Sequence, residues 1–198
     1  PADWMPAVYE SHIPSAVLSA EMAERYGMKK GIPVVGGGGD NAAGAVGTGV
    51  VKKGCVLISL GTSGVVLAHS DQPLIDTKNR LHSFCHAVEG KWHTMGVILS
   101  AAECLKWWRT RVGHEEEHMA KQSGRSVYEV MCEAAGTVPP GSNGLLFLPY
   151  LMGERTPYAD PDARGAFIGL TLRHDKAAMT RAVLEGVIYR IHSVVTAL

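Results

Sequence analysis

An unbroken glycine run constrains this chain more than any other feature. Gly36-Gly37-Gly38-Gly39 leads directly into Asp40-Asn41-Ala42-Ala43. Glycine loses more backbone freedom on folding than any other residue, so four in succession are a costly way to build an ordinary loop. They supply a backbone without side chains, which can adopt conformations closed to other residues and lie close to a ligand. The apolar Pro33-Val34-Val35 precedes the run, and an Asp followed by alanines reads as a helix start. The pattern predicts a strand, a glycine loop and then a small-residue helix beginning near Asp40. A carboxylate at that junction, facing a cleft, could accept a proton from a substrate hydroxyl or hold a metal through water. Capping its own helix is the other use of the same residue, and the spacing leaves both open.

The 198 residues carry 19 basic and 19 acidic side chains, and 46% of them are hydrophobic. That is enough apolar material for a packed core and argues against disorder. Balanced charge gives no overall reason to coat nucleic acid. No apolar run reaches the ~18 residues of a membrane span, so neither membrane nor nucleic acid is expected as a partner. Cys55, Cys85, Cys104 and Cys132 form no CxxC pair. They read as reduced thiols of a cytoplasmic protein rather than zinc ligands or a disulfide framework. The chain opens at Pro1 without an initiator Met and stops at Leu198 inside a helical pattern. It is therefore expected to be a piece of a longer protein.

Residues 1–30 read as an irregular lead-in with one short helix, Ser15 to Tyr26, closed by Gly27. Two apolar runs around Gly61-Thr62-Ser63-Gly64 predict a β-hairpin, with a second strand pair over Ser83–His86 and Trp92–Val97. Helices are predicted from Ser100 to about Arg111 and over Val127–Ala135, with a strand at Leu145–Leu148. From the plausible cap Asp175 onward, Met179, Val183, Val187, Ile191 and Val195 recur at helical spacing. Interspersed strands and helices make the class mixed α/β with a partly antiparallel sheet.

Several further groups could carry chemistry. The turn at Thr62 and Ser63 can form an anion-binding concavity from backbone N–H groups and hydroxyls, or be an ordinary hairpin turn. It is no nucleophile elbow, because Val65 stands where the last Gly would be, and the chain has no Walker string. His114-Glu115-Glu116-Glu117-His118 satisfies HExxH, which makes a zinc hydrolase through His114 and His118 the alternative of a different class. Its charged surroundings and missing third ligand favour a solvated surface helix. His82, His86 and His93 could meet if they lie on paired strands, and they are read as core or surface residues. Trp107 and Trp108 are read as packing residues. Finally, Phe147 to Gly165 is a long turn-rich stretch. Its adjacent Glu154 and Arg155 are either cleft residues or a structural pair bracing the loop.

Taken together these strings resemble the FGGY carbohydrate kinases. Gly36–Gly44 resembles their glycine–aspartate segment and Leu60–Gly64 their second phosphate loop. Gly165–Leu170 through Arg181–Gly186 resembles their C-terminal signature. Ile58–Gly64, Trp92–Ser100 and Leu148–Pro157 are of the kind found in the xylulokinase branch. The resemblance runs through almost the whole chain in order. It implies an actin-like, RNase H-like domain, here the partial C-terminal domain over residues 31–198, and an ATP- and Mg²⁺-dependent transfer of phosphate to a sugar hydroxyl, D-xylulose in that branch. Another sugar kinase of the family, acting on gluconate, is the alternative. The resemblance makes Asp40 the catalytic base and Gly61, Thr62 and Ser63 the ATP-phosphate contacts. It puts Gly38, Gly39, Asn41, Glu154 and Arg155 in the substrate cleft and the segment Ala102–Lys106 beside the nucleotide. No protein side chain is expected to ligate metal directly, except Asp40 through water. Sugar and ATP are the expected partners, with a second copy of the chain as a candidate. Family members are more than twice this length, so the isolated chain is expected to be inactive.

Overall fold

The computed structural model describes residues 2–78 and 80–198, which fall into two compact units. One comprises Pro1–Leu57, Leu67–Ile75 and Ser83–Thr94; the other comprises Ile58–Val66, Asp76–His82 and Met95–Leu198.

In the first unit, β1 (Pro14–Val17) pairs antiparallel with β2 (Pro33–Val35). Here the structure departs from the helix predicted over Ser15–Tyr26. Only α1 (Ala20–Arg25) is helical, and Ser19 is its N-cap, the Oγ accepting from Met22 N at 3.3 Å. Ala16 and Val17 of the predicted helix instead pair with Val34 and Pro33, so long-range pairing overrides the local pattern. After the glycine run comes α2 (Asp40–Gly47), where the sequence predicts it.

Four strands form one sheet: β3 (Val56–Leu60), β4 (Gly64–Ser70), β5 (His82–Cys85) and β6 (Trp92–Ile98), in the order β3-β4-β6-β5. Both predicted strand pairs are present. The inner strands β4 and β6 are buried along most of their length, whereas the edge strand β3 is mostly exposed. Inner strands covered on both faces select near-continuous apolar runs, which is what the sequence shows there.

The second unit is mainly helical, with α3 (Ala102–Val112), α4 (His114–Ser123), α5 (Val127–Gly136), the antiparallel pair β7 (Leu146–Leu148) and β8 (Ala166–Ile168), and the 22-residue α6 (Lys176–Ala197). Ser126 and Glu129 form a reciprocal capping box at the start of α5, and Asp175 caps α6 by accepting from Ala178 N at 2.8 Å. Both satisfy N–H groups that a helix start leaves without partners. The core gathers Ile98, Cys104, Trp108, Met131, Phe147, Val183, Val187, Ile191 and Val194. Trp107 packs against it, stacked on Phe147, and the Trp108 indole N–H donates to Thr180 Oγ1 at 2.9 Å, so both tryptophans are packing residues. α6 packs on α3, α5 and β7. The approach to β7 is so close that a Cβ on Gly186 would overlap the carbonyl oxygen of Phe147.

The apolar stripe of α6 differs from the predicted one at its end, where Val194 is buried and Val195 exposed. A strict four-residue step overshoots the helical turn by about 40°, so four steps from Met179 carry Val195 about 160° around the helix. All four cysteines are free. Among the described residues no helix is long and apolar enough to cross a membrane.

Candidate functional site

Asp40 is the first residue of α2, not its cap. The cap position belongs to Gly39, which has no side chain to offer the helix. The Asp40 carboxylate is exposed. Its Oδ1 accepts from Asn41 N at 2.8 Å and from Asn41 Nδ2 at 3.3 Å, and Oδ2 has no partner among the described residues. Oδ1 thus serves an N–H of the first turn of α2, and Oδ2 is left over.

The glycines before it do different work. Gly37 has φ +67° and donates its N–H to Ser11 O at 3.1 Å. A Cβ at Gly38 would stand 3.1 Å from the Ala87 methyl, tighter than ordinary packing. At Gly36 and Gly39 a Cβ would meet nothing within 4 Å, so the chain's own packing does not demand glycine at either position. Gly37, Gly38 and Gly39 line a cavity of about 370 Å³ together with Val8–Ser11, Ala42 and Cys85–Ala87. The lead-in residues 8–11 carry no sequence signal for this role; only the fold brings them there.

In the second unit, the turn between β3 and β4 is held by its own carbonyls. Gly61 O and Thr62 O accept from Ala102 N and Ala101 N, both at 2.9 Å, which pins the turn to the start of α3. Gly64 allows the fit, since a Cβ there would sit 2.7 Å from Ile98. Gly61 N–H is used inside the turn, donating to Ser63 O at 2.9 Å. The N–H and hydroxyl groups of Thr62 and Ser63 have no partner among the described residues. The arrangement leaves two adjacent amides and two hydroxyls free for an anion, with Gly61 as scaffold rather than donor. A cavity of about 430 Å³ opens beside them, lined by Gly61, Thr62, Ala102, Glu103, Leu105, Lys106 and Tyr128. Glu103 and Lys106 pair at 3.1 Å on the first turn of α3. Tyr128, with the Arg109 guanidinium 5.2 Å from its ring centre, was not legible as a site residue.

Glu154 and Arg155 are separated by the fold. Arg155 is exposed, while Glu154 is only 4% exposed and pairs with Arg190 of α6, itself 5% exposed, at 3.1 Å. The other Glu154 oxygen accepts from Arg155 N at 2.8 Å. Arg190 also donates to Thr156 O at 2.6 Å and lies 5.5 and 5.0 Å from the rings of Tyr150 and Tyr158. The bracing pair is thus Glu154–Arg190, and adjacency in the sequence points to the wrong arginine. Cys104, buried beneath this loop, has its thiol pushed up to about 12 by burial and by Glu103 and Glu154. His114 and His118 lie on the exposed side of α4. His118 meets Gln122 at 2.9 Å, and the buried Glu116 is held by Lys176 at 2.8 Å. Among the described residues no group of three or more His, Cys, Asp or Glu is arranged to hold a metal.

Residues 56–198 match the C-terminal domain of the FGGY family of carbohydrate kinases. The chain is 46% identical over 189 residues to a xylulose kinase of Klebsiella pneumoniae, covering 96% of the chain and 37% of that protein. It is 40% identical over 181 residues to a gluconokinase of Bacillus subtilis, covering 91% and 35% respectively. The crystal structure of a xyloylose kinase from Brucella ovis superposes with a TM-score of 0.82 at 41% identity, over 99% of this chain and 38% of that one. The chain spans little more than a third of the length of these proteins.

Proposed function

Because the chain belongs to the FGGY family of carbohydrate kinases, we propose that the protein it forms part of is a cytoplasmic sugar kinase. It transfers the γ-phosphoryl group of MgATP to the 5-hydroxyl of D-xylulose, giving D-xylulose 5-phosphate and ADP. The observation that carries this reading is the exposed Asp40 carboxylate, with one oxygen unpartnered, at the end of a glycine run that leaves space around it. The similarity to xylulose kinases supports the choice of sugar.

Asp40 orients the sugar hydroxyl and takes its proton as the new O–P bond forms and the bond to the ADP oxygen breaks. Such transfer needs positioning and charge stabilisation more than covalent help from the protein. Thr62 and Ser63 offer N–H and O–H donors to phosphate oxygens. Mg²⁺ would arrive with ATP as part of the substrate and would neutralise phosphate charge, and Asp40, whose free oxygen serves the sugar hydroxyl, would meet it only through water. A gluconate kinase is the second reading, favoured by the 40% identity to the gluconokinase.

The test is ADP release by the full-length polypeptide that carries this chain, assayed with D-xylulose, D-gluconate and glycerol. Turnover with D-xylulose and loss of it in Asp40→Asn is the expected result. Preference for gluconate selects the second reading, and full activity of Asp40→Asn removes Asp40 as the base. The 198-residue chain assayed alone is expected to be silent.

A further inference from the structure

A loop of four glycines has no side chains with which to hold itself in place. Ser11 O holds the Gly37 N–H, and further support comes from a buried ring. His86 is 3% exposed, and its Nδ1 accepts the Val88 N–H at 3.0 Å. The neutral ring therefore carries its proton on Nε2, and that N–H donates to Val50 O at 3.1 Å. Which nitrogen bears the proton is set by the bond the other one makes.

The first of these bonds closes the turn after β5, and the second reaches the far end of α2. Val50 lies just past the helix, and its own N–H donates to Ala45 O at 2.7 Å. Ala87 sits between His86 and Val88, in the turn that the Nδ1 bond closes. Its methyl is the surface against which Gly38 rests, two residues ahead of Asp40. One imidazole thus braces the exit of α2 directly and its entrance through Ala87. The rings of His69 and His93, with centroids 5.3 and 5.7 Å away, pack edge-on against it and keep it from swinging.

We propose that His86 is a positioning residue: its Nε2–H tautomer fixes the Ala87 turn and the end of α2, and so the place where the Asp40 carboxylate meets the sugar hydroxyl. This rests on reading Asp40 as the base. A displacement of about 1 Å at a reacting group can cost on the order of 100-fold in rate.

The experiment is steady-state kinetics on the full-length polypeptide carrying His86→Ala, His86→Asn, His86→Gln, Ala87→Gly or Asp40→Asn, with folded fraction measured by circular dichroism. An Asn oxygen stands near the Nδ1 position and keeps the Val88 bond. A Gln amide reaches the Nε2 position and keeps the Val50 bond. His86→Ala is expected to lower kcat per folded molecule about 100-fold while KM for ATP stays within about twofold. The Asn and Gln variants each regain about tenfold of that loss, and Ala87→Gly loses severalfold with its histidine intact. Parent kcat per folded molecule in both His86→Asn and Ala87→Gly overturns the proposal while leaving Asp40 as the base if Asp40→Asn is inactive. Parent activity in Asp40→Asn overturns the base reading and this one with it. If the histidine variants do not fold, Ala87→Gly decides alone.

Discussion

The glycine loop at residues 36–41 and the loop at 150–160 look alike as sequence. Both are turn-rich, both follow a short apolar strand, and both carry acidic side chains that invite a functional reading. The fold treats them oppositely. In the second loop the buried charge is used internally: both Glu154 oxygens are engaged, and Arg190 of α6 holds Thr156 O and faces two tyrosine rings, while Arg155 stays exposed. In the first, Asp40 is exposed with an oxygen to spare, and three of the four glycines border open space. Buried charges persist only when paired, so a buried pair is evidence of structure. Unspent polar groups at an open surface are free to meet water or a ligand.

The contrast breaks if activity and stability respond the wrong way round. Asp40→Asn in the full-length polypeptide is expected to lower kcat by about 10²–10⁴-fold, the usual worth of a general base. Its unfolding free energy should change by no more than about 1 kcal/mol, measured by urea titration. Glu154→Ala should do the reverse. It leaves a buried guanidinium unpaired and costs about 3–5 kcal/mol of stability, while kcat per folded molecule stays near that of the parent. Thr62→Val keeps the shape of the turn and removes one donor. A loss of about tenfold in kcat/KM for ATP is expected, the worth of roughly one hydrogen bond, with unchanged melting; unaltered ATP kinetics would make the turn merely structural.

The smallest effect sharpens the comparison on the glycine-loop side. Burial, with His69 beside His86 and His86 beside His93, holds both rings below the ordinary histidine range. The other charges of the cluster are Asp71, 3.6 Å from His69, and Lys91, 2.6 Å from Asp71. As pH falls through about 6.5 the unfolded chain binds protons before these rings do, so stability is complete above that value and declines below it. Urea midpoints between pH 7.5 and 5.5 should fall with acidification, and His86→Asn should flatten the trend.

Much of the fold is legible locally. The glycine loop leading into α2, the two strand pairs, the capped start of α6 and the strand before Pro149 all sit where pattern and turn chemistry place them. The misses outside α6 share one cause. The predicted helix at Ser15 lost its first turn to β2, almost twenty residues away, and the lead-in residues 8–11 became a cavity wall. Arg190 did leave a trace, as a guanidinium one position from the buried Ile191 on an otherwise apolar stripe. A buried charge calls for a partner, but nothing in the neighbourhood of Arg190 says that the partner is Glu154.

By itself, then, the sequence determined the kinds of element and the candidate groups: a glycine run ending in a carboxylate, a turn of small hydroxyl residues, a long capped helix. These follow from backbone preferences and side-chain periodicity, which act over a few residues. Only the tertiary structure decided which polar groups are spent and which are spare. Glu154 and Arg190 are 36 residues apart in the chain, as are His86 and Val50. A hydrogen bond forms between atoms about 3 Å apart wherever the chain has brought them, and no local pattern encodes that meeting.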